Sequence, residues 1–369
     1  MKELLRKKRL YLILLIPLGF LLTALTARFP WATDRIYSRG IYQGVARVIG
    51  GFFSMIPFSV AELLILILLA VIPISLIVLV VRLIRDKEGR RKRLLNLVAN
   101  LFCTAGCLYF VFVLVCGINY TRPGFAELNG LEIRPSSVEE LSALCTSLVE
   151  QCNAAEAATA SNEAGVSTLS FENHRALTDA CQAAYSKAGE EYDTLSGFTP
   201  RAKAVINSRA MSYLDITGVY FPFTFECNVN VDHPEHNVPA TILHEMAHFK
   251  GFMREEDANF IAYLVSGYSD DPELTYSGTL LATVYATNAL FTADPEEYSR
   301  VASGLSNGVQ TDLAAAREYW QQFATPVAKV SNSVNNTYLR ANRQQEGVKS
   351  YGRMVDLLLA EYRQENGIE

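Results

Sequence analysis

Residues 244–255 read HEMAHFKGFMRE, which sets two histidines one helical turn apart with a glutamate directly after the first. On a helix His244 and His248 project from the same face, so both imidazoles can grip one Zn²⁺. Glu245 then lies beside the pair, placed to take a proton from water that the metal activates. These three residues are the minimum set for metal-assisted hydrolysis of a peptide bond.

A zinc site that does chemistry needs three protein ligands and keeps a fourth position open for water. The donors nearest in sequence are Glu255, Glu256 and Asp257. The segment EEDANFIAYLVSGY has the apolar spacing of a helix, and its phase separates the three. Glu255 shares a face with the small Ala258, Asn259 and Ala262, a face that can approach the HEMAH helix closely, whereas Glu256 and Asp257 point away. Glu255 is therefore the leading third ligand and Glu256 the alternative.

The elements that must position these groups are also legible. Pro239 suits a first helical turn and Gly251 a C-terminal stop, so VPATILHEMAHFKG predicts one helix. Ile242, Leu243, Met246, Ala247 and Phe249 surround the polar triad. Burying two imidazoles and a carboxylate is costly without a partner, and a metal is one. Upstream, GVYFPFTFECNVNV is rich in aromatic and β-branched residues and predicts a strand, with Pro222 marking it as an edge.

Weaker candidates surround this core. His233 and His236 flank a Pro-Glu loop that feeds the helix and could be accessory ligands, although solvated loop histidines are commoner. Tyr276, Tyr351 and Arg353 could steady an oxyanion, and Asn228 on the strand could touch substrate. Each has an ordinary structural reading as well, in the core or in an ion pair.

Three resemblances narrow this picture. Gly251, three residues after His248, matches the glycine of metzincins, but their third histidine would fall at 254, where this chain has Arg254 and therefore departs from that type. Glu255-x-x-Ala258-Asn259 resembles the Glu-x-x-Ala-Asp of gluzincin peptidases related to the CAAX-processing and HtpX-type membrane proteases. That resemblance implies Glu255 as zinc ligand and Asn259 in the place of the acidic residue that orients a ligand histidine, with an amide in place of a charge. The stretches NYTRP (119–123), GVYFPFTFECNVN (218–230), GFMREEDANFIAYL, TYSG (275–278) and NNTYLRANRQQEGVKSYGRMVDLLL (335–359) resemble the DUF3810 family of bacterial membrane proteins. The likeness spans nearly the whole chain and implies a membrane-anchored zinc peptidase of unknown substrate.

Hydropathy divides the chain into unlike halves. Half of its residues are hydrophobic, and apolar runs of spanning length fall at 10–27, 61–81 and 94–117. The first lacks a convincing cleavage site and is read as a retained anchor. Lys and Arg cluster before the first span and between the second and third, so both places are expected in the cytoplasm and everything after residue 117 outside the cell membrane. The intervening WATDRIYSRGIYQGVARVIGGFF has amphipathic spacing and suits a helix lying on the outer surface.

Residues 1–117 carry 16 Lys and Arg against 5 Asp and Glu, leaving 17 against 33 in residues 118–369. Such an acidic domain is a poor partner for nucleic acid. Its length suits one core, read as extracytoplasmic. Helices are expected from Ser136 or Ser137 to about 160, and at 172–190, 279–291, 308–323, 325–344 and 350–366. Cys103, Cys107 and Cys116 are expected to pack in the third span. Cys145, Cys152, Cys181 and Cys227 lie where a disulfide is permitted, without a pairing that the sequence decides.

The expected fold class is a membrane α-helical region of three transmembrane helices followed by a mainly α, α+β zincin-like metallopeptidase domain. The expected activity is zinc-dependent hydrolysis of a peptide or protein outside the membrane, with the lipid bilayer as the second partner. A non-catalytic zinc-containing receptor or scaffold is the rival from another class, and an intact Glu245 argues against it because structural zinc needs no base. A zinc amidase acting on peptidoglycan stem peptides is chemically close.

Overall fold

A computed structural model of the chain describes residues 8–85, 89–342, 344 and 353–368. It is mostly helical (73%). Three helices, Arg9–Arg28, Val60–Arg85 and Arg90–Val115, are long and apolar enough to cross a membrane, and they fall where hydropathy predicts spans. The first and third pack through small residues: a Cβ on Gly19 would meet the Tyr109 ring at 2.7 Å, and one on Gly106 the backbone of Leu12 at 2.7 Å. The second is exposed from 63 to 78.

Between the first two spans the chain forms a helix in two parts, a π-helical Thr33–Tyr42 and an α-helical Gln43–Ser54. Tyr42 and Ala46 from this segment join the same buried core as Phe225 and Phe249. The core therefore crosses residue 117, the boundary that hydropathy suggests. A buried ion pair strengthens the junction: Arg122 donates from Nη2 to Asp34 Oδ1 at 2.6 Å, with neither side chain more than 3% exposed. The Arg122 guanidinium also lies 4.1 Å over the Phe252 ring.

The remaining residues pack helices around a small sheet. Ser137 is the N-cap of Val138–Glu156, its hydroxyl accepting from the Glu140 amide at 3.2 Å. Further helices cover His174–Glu191, Asn307–Gln321, Pro326–Ala341 and Met354–Asn366, close to the expected ranges. The helix expected at 279–291 instead starts at Pro272 and runs to Ala293, taking in the TYSG stretch. Its Gly278 presses so closely on Glu255–Ser266 that a Cβ there would lie 2.5 Å from Ser266 Cβ. Pro295–Ala302 forms a further helix that the apolar spacing does not reveal.

The single strand expected over GVYFPFTFECNVNV is two: Gly218–Phe221 and Glu226–Val229 form an antiparallel hairpin with Pro222 in the turn. Proline cannot donate to a ladder, so the turn takes it. Lys203–Ala204 pairs parallel to Glu226–Val229, which makes Glu226–Val229 central and Gly218–Phe221 an edge. Glu226 accepts from Lys203 Nζ at 2.5 Å and from the amides of Val60 and Ala61 at 3.0 and 2.8 Å, so the sheet caps the second span. All seven cysteines are free thiols, with no disulfide among Cys145, Cys152, Cys181 and Cys227.

Candidate metal centre

The HEMAH helix runs Val238–Phe249 with Pro239 in its first turn, where a missing N–H costs nothing. It stops because Gly251 adopts a left-handed φ of 89° and the Phe252 amide returns to the Ala247 carbonyl at 3.1 Å. That reversal brings Glu255, the first residue of the next helix, back over the two histidines. Glu255 Oε2 lies 3.2 Å from His244 Nε2, and Oε1 lies 3.7 Å from His248 Nε2. Ligand atoms of the three residues all fall within 4.8 Å of one another.

Both imidazoles are held from behind. His248 Nδ1 lies 2.7 Å from the Phe252 carbonyl, which can only accept, so Nδ1 donates. His244 Nδ1 pairs with Asn259 Oδ1 at 2.8 Å, while Asn259 Nδ2 donates to the Tyr285 hydroxyl at 3.3 Å. In the neutral tautomer both Nε2 lone pairs then face Glu255, the state that metal ligation requires. The rings stand nearly perpendicular, at 88°, with centroids 4.7 Å apart. Burial pushes His248 down to about 4. At His244 burial acts the same way, but the hydrogen bond and charge of Glu255 outweigh it and hold the group above its ordinary value.

Glu245 is 3% exposed and sits against the edge strand. A Cβ on Gly218 would lie 2.4 Å from Glu245 Oε1, so only glycine leaves room for the carboxyl. Burial, with the negative charge of Glu255, pushes Glu245 up to about 8 against the opposing pull of His244 and a hydrogen bond with the Tyr220 backbone. Its Oε2 is buried with no hydrogen-bond partner among the described residues. Two imidazole nitrogens, one carboxylate and a partnerless buried carboxyl oxygen fit a zinc ion and the water it would bring.

These groups line a cleft of about 710 Å³. Its lining includes Gly218, Val219 and Tyr220 of the edge strand together with Trp320, Asn332 and Tyr338. Asn332 Nδ2 donates to Asp215 Oδ2 at 2.9 Å, joining two lining residues distant in sequence. Tyr120, Tyr285 and Tyr338, which sequence reasoning does not single out, reach the cleft, and the Tyr120 hydroxyl donates to that of Tyr338 at 3.2 Å. Glu255 is close enough to raise the pKa of all three, though burial is the larger cause.

The other candidates lie elsewhere or do other work. Tyr276 is buried and donates to Asp312 Oδ2 at 2.6 Å, away from the cleft lining. Asn228 accepts from the Ser59 hydroxyl at 2.6 Å and donates to the Val219 carbonyl, tying the sheet to the second span rather than facing the cleft. Arg353 precedes the last helix and pulls on the half-buried Glu256, which partial burial pushes up to about 7; neither lines the cleft. Asp257 accepts from the Phe125 amide at 2.9 Å, and Arg254 donates to the Arg122 carbonyl at 3.1 Å. Tyr351 lies outside the described residues. His233 does line the cleft, with Nε2 buried and without a partner among the described residues, and burial pushes it down to about 4. His236 is buried 3.7 Å from Asp312 and does not line the cleft.

No curated protein and no solved structure matches the chain. The family model of DUF3810, described as proteins of unknown function, matches residues 37–359, a stretch that holds the cleft and two of the three apolar helices, and the chain belongs to this family.

Proposed function

We propose that the protein is a membrane-anchored zinc peptidase with a zincin-like, gluzincin-type site. The observation that carries this reading is the meeting of Glu255 with the Nε2 atoms of both His244 and His248, with Glu245 beside them. His244, His248 and Glu255 would hold the ion, and Asn259 and the Phe252 carbonyl would fix the two rings. Zinc bound there supplies a Lewis acid that polarises a peptide carbonyl and acidifies water.

The chain's own part in hydrolysis falls to Glu245 and the cleft walls. Glu245 takes a proton from the attacking water on its carboxylate and passes it to the departing amine, so that water adds across the C–N bond and leaves an acid and an amine. The burial that raises the Glu245 pKa makes its carboxylate a stronger proton acceptor than a solvated one. Among the described residues no further strand pairs with the Gly218–Phe221 edge, so an extended substrate can pair there as an added strand. By the distribution of Lys and Arg around the spans, this chemistry takes place outside the cytoplasmic membrane.

The test uses the full chain in detergent micelles, stripped with chelator and titrated with Zn²⁺, then incubated with a peptide library and with cell-wall fragments. One zinc per chain and cleavage of peptides are expected, with Glu245→Gln keeping the metal and losing cleavage. Failure to bind zinc sinks the reading. Cleavage confined to cell-wall fragments reassigns the substrate to peptidoglycan stem peptides, and zinc without any cleavage makes the protein a scaffold.

A further inference from the structure

The helix between the first two spans has two sharply different faces. Asp34, Ser38, Tyr42, Ala46 and Gly50, each four residues apart, are all buried. Ile41, Val45, Val48, Phe52 and Met55, spaced by four and three, are all exposed, Val48 and Met55 at 73%. The buried face lies directly under the metal centre: the Tyr42 hydroxyl is 2.9 Å from that of Tyr220 and 3.5 Å from the His248 carbonyl. Gln43 Nε2 donates to the Lys250 carbonyl at 3.1 Å, and Gly50 stands where a Cβ would strike the Phe249 ring at 2.7 Å.

The surroundings of this helix say what covers its other face. It sits between the end of one candidate span, Arg28, and the start of the next, Val60, so where both spans cross a bilayer its two ends meet the same membrane surface. A helix tethered in this way, with one apolar face free, lies on the bilayer. The cleft begins at the same level, because its lining includes Cys116, the first residue after the third span ends at Val115. Glu62, at the head of the second span, accepts from the amides of Ile206 and Asn207, which holds the 79% exposed Ile206 at that level too. Only the thickness of one helix, about 10 Å, then separates the HEMAH helix from lipid.

We propose that the site takes polypeptides anchored in the bilayer and cuts them within a few residues of the membrane surface that carries the cleft. A segment emerging from the bilayer reaches the edge strand at once, whereas a bond far along a soluble tail gains nothing from the anchor. This substrate class rests on the peptidase reading, and the test keeps the two apart.

The zinc-loaded full chain is reconstituted in phosphatidylcholine–phosphatidylglycerol vesicles and given a peptide library with a randomised stretch in three forms. One is free, one carries the stretch about 3 residues from a double-palmitoyl anchor, and one about 30 residues away on a stiff proline-rich spacer that, at ~3.1 Å per residue, holds it roughly 90 Å from the surface. At least ten-fold more cleavage is expected near the anchor than far from it, a contrast that mere concentration on the vesicle does not produce. Val48→Glu with Phe52→Glu should erase that contrast while cleavage of free peptide continues. Equal cleavage near and far overturns the proposal and leaves the peptidase reading standing. No cleavage of any form, with zinc bound, overturns both.

Discussion

Gly218 and Glu245 are in such close contact that the strand backbone itself forms the wall behind the candidate base. An added methyl at 218 would sit 2.4 Å from Oε1 and 2.9 Å from the carboxyl carbon, well inside contact distance. Gly218→Ala must therefore move the carboxyl while leaving His244, His248 and Glu255 alone. We expect at least a ten-fold loss of peptide cleavage with unchanged zinc content. Measured by metal analysis beside cleavage rate, parallel loss of both would show that the glycine serves the fold instead.

Asn259 makes a second separable prediction. Its Oδ1 takes the Nδ1 proton of His244, and Tyr285 holds the amide from the other side. Outer partners of ligand histidines typically set metal affinity by ~10–100-fold, so Asn259→Ala should weaken zinc by about that factor. Asn259→Asp returns an acceptor with charge and should bind zinc at least as tightly as the native chain. Competition against a chromogenic chelator reads both. An Asn259→Ala chain with native affinity would show that His244 needs no support.

Much of this site is legible because its signals are local. Pro239, the two histidines and Gly251 all act within one or two helical turns, so helix bounds and the return to Glu255 follow from short-range rules. The tyrosines differ. Tyr276 and Tyr285 share one helix, but nine residues put them on opposite faces, and only the fold decides that Tyr285 meets Asn259 while Tyr276 meets Asp312. Tyr120 and Tyr338 meet across a separation of 218 residues, which no spacing rule reports. The two-faced pattern at 33–54 reads plainly as amphipathic, yet nothing in it tells that its inner face would carry the HEMAH helix.

The Asp34–Arg122 pair is where that helix is locked to the rest of the core. Both side chains are buried, and Arg122 also donates to the Lys250 carbonyl at 3.2 Å, just past the HEMAH helix. Arg39 reaches the same aspartate at 2.9 Å. Removing one partner of a buried pair leaves an uncompensated charge and costs roughly 3–5 kcal/mol. Asp34→Ala should lower Tm clearly, and Asp34→Ala with Arg122→Met should recover part of the loss. A double variant no better than the single one would show that the guanidinium is held by its carbonyl contacts and the Phe252 ring.

Glu361, on the last helix, gives a pH dependence with a definite sign. Burial pushes it up to about 8, Glu365 adds to the shift, and the Tyr263 hydroxyl opposes it. An unfolded glutamate titrates near ~4.3, so between these values the folded chain keeps a proton that the unfolded chain gives up. The stabilisation is complete below the unfolded value and is lost as pH rises through the folded one, with a slope of at most ~1.4 kcal/mol per pH unit. Glu361→Gln stays neutral throughout and escapes that loss. Melting both proteins from pH 5 to pH 9 should show the variant gaining on the native chain as pH rises. Because groups away from Glu361 titrate alike in the two chains, a Tm difference that stays flat across this range would mean that Glu361 ionises in the folded protein as it does in water.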